Sequence, residues 1–75
     1  METFSAVHSE GWDVFDGFSG TLAQAVAAVS RKPSGHVAKG QFVELRSASG
    51  RWRVGSKGGV RRVGKDELWA GKCNR

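Results

Sequence analysis

The residues best fitted to chemistry in this sequence are cations. Lys39, Arg46, Arg51, Arg53, Lys57, Arg61, Arg62 and Lys65 fall in one stretch, with Trp52 inside it and Trp69 just beyond. Arginine presents a planar fork of donors that matches phosphate oxygens, so this constellation suits a polyanionic partner. In the run Arg51-Trp52-Arg53-Val54, a strand's period of two puts Arg51 and Arg53 on one face and Trp52 with Val54 on the other. The expectation is a solvent face of guanidinium groups over a core anchored by Trp52. Adjacent Arg61 and Arg62 must split between faces, and Lys39 and Lys57 extend the patch from loops. Trp12 and Trp52 are expected in the core. Trp69, near the tail, is the tryptophan expected to be exposed, where it could stack on a base or anchor a protein partner.

Other chemistries find less support. Gly59-Val60-Arg61-Arg62-Val63-Gly64-Lys65 has the spacing that opens a glycine-rich phosphate loop. Asp66, however, stands where Ser or Thr should hold magnesium, and a carboxylate there repels phosphate. Lys39-Gly40-Gln41-Phe42-Val43 resembles the aromatic strand of RNA-recognition domains, but one residue out of register and without that fold's second helix. Phe42 is therefore read as a sheet residue facing the helix or a neighbouring strand. No Gly-x-Ser-x-Gly elbow occurs. His8 alternates with Ala6 and Phe4 and reads as a packed ring, while His36 reads as an exposed loop residue. Asp13 and Asp16, three apart in a regular strand, would point to opposite faces, which argues against a paired acid and base. A zinc site needs about four closely spaced Cys or His ligands, and His8, His36 and Cys73 are scattered. No catalytic residue, metal or cofactor is expected.

The charge is segregated along the chain. Residues 1–30 carry Glu2, Glu10, Asp13 and Asp16 with no Lys or Arg, giving −4. Residues 31–75 carry all 12 basic residues against Glu44, Asp66 and Glu67, giving +9, and the two sum to the net +5. Such asymmetry points to a polyanion. The longest apolar stretch, Leu22 to Val29, is too short to span a bilayer, and an acidic N-terminus does not read as a secretory signal. A cytoplasmic protein without membrane contact is expected.

The elements that must position these residues follow from turn and cap signals. Thr3 to Phe18 reads as a hairpin broken at Ser9-Glu10-Gly11. Thr21-Leu22-Ala23-Gln24 matches a capping box, opening a helix from Leu22 to Lys32 with Leu22, Val26 and Val29 as its apolar stripe and Pro33 with Gly35 as its stop. Gly40 to Arg46, Arg51 to Gly55 and Val60 to Val63 read as a meander of three strands joined by Ser/Gly-rich turns. Lys65 to Trp69 reads as one short helical turn. The predicted fold is α+β: a single small domain over residues 1–70, with order ββαβββ, a twisted antiparallel sheet with one helix packed across it, and a flexible tail over 71–75.

The functional expectation is a small non-enzymatic nucleic-acid-binding accessory protein. It would contact phosphates through its basic C-terminal β-hairpin region with weak sequence preference, whether to DNA or RNA. The alternative is an interaction or inhibitor module docking on an acidic protein surface. Pairing of an acidic with a basic hairpin between copies also makes a homodimer conceivable.

Overall fold

A computed structural model describes residues 2–64, 66–69 and 71 of the chain. Its elements are β1 (Glu2–His8), β2 (Asp13–Gly20), α1 (Leu22–Arg31), a single 3-10 turn (Pro33–Gly35), β3 (Phe42–Ser47), β4 (Gly50–Gly55) and β5 (Val60–Val63). The strands form one antiparallel sheet in the order β2-β1-β3-β4-β5, with α1 packed across one side. The expected class and element order are those observed.

The capping box forms as read. Thr21 Oγ1 accepts from the Gln24 backbone N–H, and the Gln24 side chain accepts from the Thr21 N–H, so donors that an α-helix leaves open at its start are satisfied. Pro33 opens the 3-10 turn that ends the helix. The face that α1 buries differs slightly from the expected stripe: Ala25 and Val29 are fully covered, whereas Leu22 and Val26 pack against the core half-buried. They meet Phe4, Ala6, Val14, Val43, Leu45 and Val54 from the sheet. Each Val or Leu fully buried there contributes about 1.5–3 kcal/mol.

Strand β2 departs from regular alternation. Its register on β1 shifts twice, so that Phe4 and Ser5 face Phe18 and Asp16, skipping Gly17, and Ala6 and Val7 face Phe15 and Asp13, skipping Val14. Gly17 takes a φ of +95°, which favours glycine at such a bulge. One consequence corrects a sequence expectation. Asp13 and Asp16 pair with Val7 and Ser5, alternate residues of one strand, and so share a face rather than splitting between two.

The turn between β1 and β2 is pinned to the segment after the helix. His8 is fully buried; its Nδ1 accepts from the Glu10 N–H at 3.0 Å, so Nε2 carries the proton and donates to the His36 carbonyl at 2.8 Å. Trp12 stacks on the His8 ring at 4.3 Å and donates to the Ser34 carbonyl. Trp12 is 46% exposed, not the core residue expected, because its indole lies over the pin and not under the helix. Trp52 is half-buried against the core, beside Phe4 at 5.9 Å.

Residues 66–69 contain no helix: a turn closed by the Glu67 N–H on the Gly64 carbonyl leads into irregular chain. Lys65, which the expected helical turn would have included, and the tail beyond Gly71 lie outside the described residues. No helix of the described residues is long and apolar enough to cross a membrane.

Candidate functional site

The hairpin of β3 and β4 turns through Ala48 and Ser49, because Ser47 pairs with Gly50. That register decides which side chains meet. Val43 and Leu45 lie opposite Val54 and Trp52 on the helix side, while Glu44 and Arg46 lie opposite Arg53 and Arg51 on the other. Strand β5 continues the pattern, placing Arg61 beside Arg53 and Arg62 beside Trp52. Arg46, Arg51, Arg53 and Arg61 therefore share the face away from the helix, as the period of two requires.

The face is not an open field of guanidinium groups. Glu44 is fully buried at its centre, accepting from Arg46 Nε, from Arg51 Nη2 at 2.9 Å and from Arg53 Nε at 3.4 Å. A carboxylate so enclosed persists only when charged donors replace its water. Burial pushes the Glu44 carboxyl up, yet the hydrogen bonds and charges of Arg51 and Arg46 outweigh it and hold the group below the usual carboxylate range. Residues 67–69 then lie over the arginines as a strap. Arg51 Nη1 donates to the Glu67 carbonyl at 2.8 Å and Arg53 Nη2 to the Leu68 carbonyl at 3.0 Å. The Glu67 carboxylate pairs with Arg61 at 2.8 Å and with Arg53 at 3.0 Å. The Arg61 hydrogen bond holds Glu67 low, and Glu67 in turn raises Arg61.

Aromatic contacts complete the cover. Trp69 meets Phe42 edge to face at 5.5 Å, with the Arg46 guanidinium 5.6 Å from the indole centre; Arg53 stands 4.7 Å over the Phe42 ring. Phe42 faces away from the helix and meets Arg53 of the neighbouring strand β4, the second of the two readings given for it. One expectation changes here: Trp69 is half-buried against Phe42 rather than exposed. Val7 and Val63 are buried outside the helix-side core cluster, in register with Glu44 and Arg51.

The remaining basic residues are dispersed. Arg62 lies on the helix side, 5.7 Å from the Trp52 ring centre, and donates to the Ser49 carbonyl. An open cleft of about 510 Å³ joins it to Arg51 at the end of the β3–β4 hairpin, between Ser49 and Gly64. Lys57 is exposed in the β4–β5 turn and Lys39 in the loop before β3. Lys65 lies outside the described residues. Among those described, no group of three or more His, Cys, Asp or Glu side chains is placed to hold a metal ion.

Sequence reasoning missed Glu44 and Glu67. The signal for Glu44 was present, since the Ser47-to-Gly50 turn sets it against Arg53. Glu67 had none, because nothing local says that three residues of irregular chain fold back over a sheet. Compared with known proteins, the chain matches no family model, no curated protein and no solved structure.

Proposed function

We propose that the domain is a non-enzymatic nucleic-acid-binding accessory module that contacts phosphates through the arginine face of β3–β5 and the cations around it. One observation carries this reading: Arg51, Arg53 and Arg61 are aligned on one sheet face with donors already engaged by carbonyl and carboxylate oxygens, the acceptor chemistry that phosphate offers. Over β3–β5 and the strap, four arginines less Glu44 and Glu67 leave +2, with Lys39, Lys57 and Arg62 nearby; Asp13 and Asp16, in register with Val7 and Ser5, put negative charge on the same face at the β2 margin. His8 is committed to the fold through both ring nitrogens, which supports a binding rather than a catalytic role.

The test is a titration with labelled duplex and single strand at two salt concentrations. The domain should bind at low salt and weaken as salt rises. Lys57→Ala and Arg62→Ala should each lower affinity for all sequences alike and reduce the salt slope by about one unit for each phosphate no longer neutralised. A domain that binds neither at low salt does not have this function. Docking on an acidic protein surface is the second reading, favoured by Val60, a large apolar side chain 43% exposed on a strand that also carries Arg61 and Arg62. A stable complex with one protein, unaffected by added nucleic acid, would put it first.

A further inference from the structure

We propose that residues 67–69 are a displaceable stand-in for a nucleotide, and that the face beneath them binds single-stranded nucleic acid when the strap lifts. This rests on the reading above, that phosphate is the ligand. The correspondence is chemical. The Glu67 carboxylate and the Glu67 and Leu68 carbonyls occupy the donors of Arg51, Arg53 and Arg61 where phosphate oxygens would sit. The Trp69 indole meets Phe42 edge to face and so covers an aromatic ring that a base could use once it leaves. A paired base keeps its faces within the duplex stack, so a platform on the floor of a sheet is reached only by an unpaired, splayed base.

The site survives loss of its cover. Arg51 and Arg53 also bind Glu44 from below, so two of the three guanidinium groups remain aimed when the strap departs. Over β3–β5 the net charge then rises from +2 to +3, four arginines less Glu44 alone. The strap is held by directional contacts and not by burial. The Leu68 side chain is 84% exposed, its carbonyl alone being engaged by Arg53, and a Cβ on Gly64, at the root, would meet nothing within 4 Å. Just beyond the strap Gly71 is fitted closely: a Cβ there would lie 2.6 Å from the Ser9 carbonyl oxygen and closer still to the Trp69 ring.

That fit supplies a release variant that changes no charge. Gly71→Ala should force the strap off by sterics, and Glu67→Gln should loosen it by removing its charge. Asp66→Asn removes the same charge one residue away. Melting curves establish that each folds, and labelled oligodeoxythymidine and a duplex of equal length are then titrated at low salt. Glu67→Gln and Gly71→Ala should each raise single-strand affinity about tenfold, the ratio for a face open one-tenth of the time in the parent. Asp66→Asn should change it little. Phe42→Ala should lower single-strand affinity and leave duplex affinity unchanged.

A parent that binds, with Gly71→Ala no tighter, would overturn the strap while leaving phosphate binding intact. Equal gains for Asp66→Asn and Glu67→Gln without a gain for Gly71→Ala would reduce the effect to net charge and also overturn it. Equal gains for duplex and single strand would overturn the base platform. No binding by parent or variants would remove the phosphate reading itself.

Discussion

The two faces of the sheet are held by different physics. Beneath α1, Val29, Ala25, Leu45 and Phe4 exclude water together, and burial of that kind is non-directional and spread over many contacts. On the opposite face one buried carboxylate organises three arginines, and a three-residue strap supplies the outer acceptors. Such interactions are directional, and removing one partner strands another. The first face can be weakened only by damaging the core, whereas the second has a layer that can leave.

The contrast is broken most severely at Val29. Val29→Asp places a carboxylate among the apolar side chains of the core cluster, where the helix is fully covered, and should abolish cooperative thermal unfolding followed by circular dichroism. Val26→Asp, at a half-buried position, should still melt cooperatively at a lower temperature.

On the other face, Arg51→Ala with Arg53→Ala leaves Glu44 with Arg46 alone. Urea unfolding should show a loss of about 3–5 kcal/mol, although period-two reasoning from the sequence treats both as solvent-facing and removable without cost to the fold. Adding Glu44→Leu should restore most of that stability, because an apolar residue asks for no partner. A triple variant no more stable than the double would show that the arginines act by packing their stems, not by serving Glu44.

The smallest effect is on pH dependence. Glu44 and Glu67 are both held below the usual carboxylate range in the folded state, so at acid pH the unfolded chain binds more protons and stability rises with pH. Their contribution is complete above the unfolded carboxylate range and is lost as pH falls through their depressed folded values. Melting temperatures should drop over that acid window, and Glu44→Gln should flatten the profile there.

Local signals were legible in the sequence and long-range ones were not. Thr21 and Gln24 announce the helix, Pro33 ends it, and Val60 to Val63 is the observed β5; each depends on neighbours a few residues away. The split of Arg51 and Arg53 from Trp52 also held, since it follows from strand geometry alone. What failed depends on distant chain. Trp12 and Trp69 exchanged their expected roles because one is claimed by His8 and Ser34, the other by Phe42. The arginines were read as free because their partners come from across the hairpin and from the strap. Asp13 and Asp16 were misplaced because Gly17 and Val14 interrupt the alternation that was assumed to be regular.

Those interruptions in β2 also bear on self-association. A sheet with two outer strands can in principle template another copy at each margin, yet here the margins are guarded differently. At β2 the bulges spoil the straight ladder that an added strand must match. At β5 the ladder is regular: the Gly55 N–H donates to Gly59, so alternation turns the backbone groups of Val60 and Arg62 outward. A second copy docking there antiparallel about a two-fold would set Arg61 or Arg62 against its own counterpart, a like-charge juxtaposition that opposes pairing. One margin is protected by shape and the other by charge, and a polyanion laid along β5 would remove the second protection while leaving the first.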